Sequence, residues 1–152
     1  MSNQISLTSS NGESFSIDEE AAKLSLKLKT IIDQKDDLVK NISSITLSKV
    51  IEYCSKHVPN NDADEEALKL FDQEFVSNVD KVSLLYLVEA AKDLKIKGLY
   101  DLSRESLINK LAVSGNDEIL LLLNREDLKS VNETLFELAD KALVKRCSSG
   151  GP

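Results

Sequence analysis

Two apolar helical patterns joined at Ile96-Lys97-Gly98 occupy the stretch from Asp72 to Leu111. This stretch limits the fold more than any other part of the chain. The first pattern places Leu84, Leu87, Val88, Ala91 and Leu94 three and four residues apart, on one face of an α-helix. The second runs through Leu99, Leu102, Leu107 and Leu111, with Ser106 in phase and Ile108 widening the stripe. Gly98 follows the first stripe closely. It can adopt positive φ without steric cost, so the expected turn lies at this glycine. The pattern is that of a buried helical hairpin in a globular domain.

A chain of 152 residues is enough for one domain. At that length it buries about 68–70% of its unfolded surface and needs no covalent staple. The net charge of −7 argues against nucleic acid and against a membrane surface as the main ligand, since both call for a basic face. Cys54 and Cys147 lie far apart, which fits a reducing compartment better than a disulfide framework. MSNQISLTSS lacks the basic-then-apolar order of a signal peptide. The longest apolar run, Ile119 to Leu123, is far below the ~20 residues of a membrane helix. A cytoplasmic or nuclear location is expected. On that reading the triplets at Asn41 and Asn132 are chance matches to the glycosylation pattern.

Alternation at Gln4–Thr8 and Ser14–Ile17, separated by a segment containing Asn11-Gly12, predicts a β-hairpin. Ser16-Ile17-Asp18-Glu19 fits a capping box, with a helix following to about Leu24. Ser25 to Gln34 carries a second helical pattern, and a short third strand is expected at Leu38-Val39. Ile42 to Val58 predicts a helix with Leu47, Val50, Ile51, Cys54 and Val58 on one face, stopped by Pro59. Asn61 to Glu66 reads as an acidic connector. After the helical hairpin, Val113 to Asp117 predicts a turn and cap, Glu118 to Asn124 a short helix, and Val131 to Val144 a last helix. That helix points Val131, Leu135, Leu138 and Ala142 inward, with Phe136 and Ala139 beside them. Ser148 to Pro152 reads as a tail.

Little in the chain points to catalysis. Cys54 and His57 sit three apart on a helix, but Cys54 lies on the apolar stripe and no second pair completes a metal site. Asp62, Asp64, Glu65 and Glu66 lack the alternating ligands, glycine and terminal glutamate of a calcium loop. There is no glycine-rich phosphate loop and no GxSxG. The lysines at 27, 29, 92, 95 and 97 form no strong stripe. A surplus of apolar residues remains. Ile119 to Leu123 is apolar at every position, which fits either a helix enclosed by its own domain or one shared between core and partner.

Several blocks are similar to a known family. ISLTSSNGESFSID from Ile5 resembles its opening strand, turn and second strand. Leu47 to Cys54 followed by His57 resembles its Lys-Val-Ile-x-aromatic-Cys helix. Phe71-Asp72-Gln73-Glu74-Phe75 resembles its Trp-Asp-x-x-Phe motif. Ala90-Ala91-x-x-Leu94-x-Ile96-Lys97-Gly98-Leu99-x-Asp101-Leu102 is the most specific block. The chain thus resembles the Skp-type adaptors that link F-box proteins to a cullin in SCF ubiquitin ligases. The added C-terminal helices favour this type over elongin-C-like adaptors.

The resemblance implies an α+β fold of the BTB/POZ type, with an N-terminal β-hairpin, a small three-stranded sheet and a C-terminal helical extension. The expected organisation is a BTB/POZ-like domain at 4–112, an extension at 113–146 and a disordered tail at 147–152. It implies a non-catalytic adaptor with no cofactor and no metal. Leu99, Leu102, Leu107, Ile108, Leu111, Ile119, Leu122, Leu123 and Leu128 would hold an F-box protein, and Ala91, Lys92 and Asp93 would face a cullin. The sequence departs from the family at two places. Lys92-Asp93 replaces the usual Asn-Tyr, and the C-terminal third lacks the family's prolines and closing tryptophan. These departures motivate an alternative, a self-associating protein of the same fold that has lost cullin binding.

Overall fold

The structure is a computed structural model and describes residues 4–25, 42–57 and 65–149. It opens on the expected hairpin, β1 (Gln4–Thr8) against β2 (Ser14–Asp18), antiparallel with Ile5 opposite Ile17 and Leu7 opposite Phe15. These apolar side chains share one face, and Leu7 and Ile17 are fully buried. Gly12 takes a φ of 86° in the connecting loop. Among the described residues the sheet has two strands. The expected third strand at Leu38-Val39 lies outside them, as do Val58, Pro59 and the helical pattern beyond Ser25.

Asn11 fastens the hairpin loop to the next long helix. Its Oδ1 accepts from the Ser44 amide at 2.9 Å and its Nδ2 donates to the Ser44 hydroxyl at 3.1 Å. The capping box at Ser16 does not form. Ser16 is paired with Ser6 in the sheet, and the cap position falls to Asp18, whose side chain makes no capping bond. Ladder hydrogen bonds claim the same backbone that the box would have needed. The short helix α1 (Glu19–Ala22) follows and buries Ala21 and Ala22.

Helix α2 (Ser44–Lys56) is capped by Ser43, which accepts from the Thr46 amide. It buries Leu47, Val50, Tyr53 and Cys54, with Ile51 half-buried beside them. Helix α3 (Glu65–Ser77) begins inside the expected acidic connector. Glu65 and Glu66 form its first turn, where the helix dipole favours carboxylates. Helix α4 (Lys81–Leu94), capped by Asp80, is the centre of the molecule and buries Leu84, Leu85, Leu87, Val88, Ala90, Ala91 and Leu94. Helix α5 (Lys97–Ala112) packs back against it.

The turn between α4 and α5 differs from expectation. Lys95 adopts the left-handed conformation, φ 57° and ψ 50°, while Gly98 has joined the first turn of α5. The Ile96 amide donates to the Ala91 carbonyl at 2.9 Å and the Lys95 amide to Lys92 at 3.3 Å. This is a Schellman closure, with Ile96 buried beneath it.

Helix α6 (Asn116–Leu123) starts after Gly115 without a side-chain cap. A 3-10 turn at Glu126–Val131 buries Leu128 and leads into α7 (Asn132–Ser149). Helix α7 lies across α5 and buries Leu135, Leu138, Ala139 and Ala142, as expected. Phe136, expected inward, is exposed, because it falls outside that stripe. The helix continues past the expected tail boundary at 147, since no glycine or proline interrupts it before Gly150. One continuous core joins the hairpin, α4, α5 and α7.

Candidate partner-binding surfaces

The C-terminal helices form an apolar groove. Ile119, Leu120 and Leu123 on α6 face Phe136, Ala139 and Leu143 on α7 across a cavity of about 330 Å³. Leu120 is 55% exposed, Leu121 70%, Phe136 64% and Val144 61%. The surface is built by two helices that each carry more apolar residues than their contact with the core consumes. On α7 the core stripe is Leu135, Leu138 and Ala142, and Phe136 and Leu143 form a second stripe seven residues apart. A cluster of this kind is a candidate interaction site.

Polar contacts supplement the apolar packing that holds α6 and α7 to the rest of the chain. Lys81 at the start of α4 pairs with Glu118 at 2.7 Å, holding the Glu118 carboxyl below the usual carboxylate range. Thr134 bonds Glu89, and Arg104 lies 3.7 Å from Glu137. Tyr86 donates to the Asp127 carbonyl at 3.2 Å, and Asn132 donates to the Leu123 carbonyl at 2.6 Å.

The residues expected at an F-box partner divide into two groups. Leu99, Leu107, Leu111 and Leu128 are fully buried in the chain's own core, and Ile119 nearly so. In this conformation they are not a surface, because α4 covers one side of α5 and α7 the other. Leu102, Ile108, Leu122 and Leu123 are half-buried and reach the exterior. Leu120, Leu121, Phe136, Leu143 and Val144 were not among the expected residues. The unbroken run at 119–123 signalled the first two. At the other end of α4, Ala91 is fully buried, whereas Lys92 and Asp93 are exposed. Asp93 lines a larger cavity of about 650 Å³ with Thr46, Tyr86, Glu89 and Ser130.

The Cys54–His57 pair does not converge. The Cys54 thiol is buried, and burial pushes its pKa up to about 12, which leaves it protonated and inert. His57 stacks on Tyr53 at 4.2 Å, and its Nε2 meets Asp72 of α3 at 2.7 Å. Phe71 and Phe75 stack beside them at 5.5 Å, with Lys49 and Lys56 over the ring faces. The cluster fixes α3 to α2.

Residues 3–59 match the family model for the Skp1 family, tetramerisation domain. SKP1-like protein 14 of Arabidopsis thaliana is 38% identical over 133 residues, covering 83% of this chain and 86% of that protein. The chain belongs to the Skp1 family. SKP1-like protein 13 of Arabidopsis thaliana is 35% identical over 90% of this chain and its own full length. SKP1-like protein 20 of Oryza sativa subsp. japonica is 32% identical over 88% of this chain. The hairpin and the helices around α4 are accordingly the α+β BTB/POZ-type fold. In this Skp1-family chain the apolar groove lies wholly beyond the matched segment, between α6 and α7.

Proposed function

We propose that the chain is a non-catalytic adaptor that joins an F-box protein to a cullin in an SCF-type ubiquitin ligase, acting in the cytoplasm and nucleus. Family membership supports the adaptor role, and the exposed groove between α6 and α7 is the observation that carries it. The BTB/POZ-like unit at 4–112 supplies the scaffold and the extension at 113–146 supplies the grip. The F-box protein would seat its apolar side chains on Leu120, Leu121, Leu123, Phe136 and Leu143, with Leu102, Ile108 and Leu122 at the margin. Leu99, Leu107, Leu111, Ile119 and Leu128 hold the helices in place from beneath. The cullin side is Lys92 and Asp93.

A second reading is favoured by one observation, the charged pair Lys92-Asp93 where the family carries Asn-Tyr. Loss of an aromatic at an interface centre removes about 2 kcal/mol or more. A chain without the cullin contact would use the same groove to self-associate. No helix among the described residues is long and apolar enough to cross a membrane. Pull-down with a purified F-box domain and a purified cullin N-terminal domain separates the two readings. The adaptor captures both. Failure to capture either, together with sedimentation as a dimer or larger, contradicts it.

A further inference from the structure

The hairpin loop carries the chain's one Asn-Gly pair, Asn11-Gly12. An asparagine followed by glycine can modify itself. The Gly12 backbone nitrogen attacks Asn11 Cγ, an N–Cγ bond forms, and the Cγ–Nδ2 bond breaks. The Gly12 amide proton leaves with Nδ2 as ammonia. Water then opens the resulting cyclic imide at either carbonyl. One opening gives an ordinary aspartate at position 11. The other gives an isoaspartate, whose backbone runs through Cγ. Nothing is oxidised or reduced, and water is the co-reactant.

The loop supplies both the opportunity and a gate. Asn11 and Gly12 are exposed, and Gly12 has open space where a β-carbon would stand, so its nitrogen is unshielded. The Asn11 carboxamide, however, is tied down by three hydrogen bonds. Oδ1 accepts from the Ser44 amide at 2.9 Å and from the Ser9 hydroxyl at 2.8 Å, and Nδ2 donates to the Ser44 hydroxyl at 3.1 Å. The Gly12 amide donates to the Ser9 carbonyl at 3.1 Å. Ring closure needs these bonds to open, and surface loops open locally without global unfolding. The two products differ in what they can hold. An aspartate at position 11 keeps the bond from the Ser44 amide, and its second oxygen accepts from the Ser44 hydroxyl. Its charge sits at the start of α2, where the helix dipole favours an anion and no acidic residue stands in the first turn. An isoaspartate adds a carbon to the backbone of a loop closed by the Ser9 amide on the Glu13 carbonyl at 2.9 Å, and its side chain is one carbon shorter. It cannot reach Ser44 in the same loop. We infer that Asn11 is a self-modifying site gated by its clasp to Ser44, and that isoaspartate formation there releases the hairpin loop from α2.

The test is incubation of the full chain at mildly alkaline pH, with peptide mapping by mass spectrometry and an isoaspartate-specific methyltransferase as the label. Both products form at position 11 in the wild type. Ser44→Pro removes the amide and the hydroxyl together, yet suits the first position of α2. It deamidates about tenfold faster, the scale of one or two hydrogen bonds lost. Ser44→Ala keeps the amide and is accelerated less. Ser43→Ala weakens the cap of α2 without touching Asn11, and it stays near the wild-type rate, which separates loss of the clasp from loss of stability. Asn11→Asp retains the protection of the Ser44 amide against hydrogen exchange, and the isoaspartyl form, separated by chromatography, loses it. Equal rates in the wild type and Ser44→Pro, an equal acceleration in Ser43→Ala, no isoaspartate at position 11, or full Ser44 protection in the isoaspartyl form each overturn the inference.

Discussion

Tyr53 closes over Gly98. The phenol oxygen of Tyr53, on α2, occupies the space that a β-carbon at position 98 would fill, so α2 and α5 meet where α5 has no side chain. The ring cannot swing aside cheaply, because it is buried and stacked on His57, with Phe75 tilted against it. Burial, with Asp72 nearby, also raises the Tyr53 hydroxyl to about 12, so it stays protonated through the neutral range. The glycine is thus required for close approach and not for turn geometry.

Gly98→Ala is expected to destabilise the chain. Overpacking costs about 1–3 kcal/mol, against a gain of about 1 kcal/mol from replacing a helical glycine. A net loss near 1 kcal/mol in urea denaturation is expected. Tyr53→Phe removes the overlapping oxygen, so the double variant Tyr53→Phe/Gly98→Ala recovers part of that loss. Additive losses would contradict the contact.

Lys95→Gly has the opposite sign. The left-handed region costs a non-glycine residue about 1–2 kcal/mol, and glycine gives back about 0.4–1 kcal/mol through the freer unfolded chain. A gain of about 0.5–1 kcal/mol in thermal or urea unfolding is expected.

Asp80 provides a pH dependence. Its hydrogen bond from Ser83 at the start of α4 holds the carboxyl below its ordinary value of 3.8. A carboxyl depressed in the folded state contributes fully above pH 3.8 and loses that contribution as pH falls through its lower folded value. Asp80→Ala is expected to cost about 1 kcal/mol at neutral pH, as a lost N-cap does. The wild-type and variant unfolding curves converge as pH drops below that range.

The parts of the fold that local pattern determines were legible in the sequence. Asn11-Gly12 marked the hairpin, and the stripes through Leu84–Leu94 and Leu99–Leu111 marked the paired helices. Two local signals competed at Ser16, and strand pairing prevailed over the capping box. The acidic start of α3 looked like a connector because Glu65 and Glu66 continue the charge run of Asp62 and Asp64. Gly98 was misassigned because its role depends on Tyr53, 45 positions away in the numbering. The groove was half legible. The run at Ile119–Leu123 announced surplus apolar surface, but which leucines stay outside depends on how α7 crosses α5. Leu107 and Leu111 are spent on the core, while Phe136 and Leu143, out of phase with the core stripe, are not.

The most direct test is titration calorimetry of a purified F-box domain into the wild-type chain and into Leu120→Glu/Phe136→Glu. Both positions are exposed, so the double variant folds with unchanged circular dichroism and melting temperature. A charge in each half of the groove must be desolvated on binding, and apolar anchors of this kind carry about 2 kcal/mol or more each. The wild-type chain is expected to bind one F-box domain, and the variant to lose at least about a hundredfold in affinity. A folded variant that binds the F-box domain as tightly as the wild type would contradict the assignment of the groove between α6 and α7.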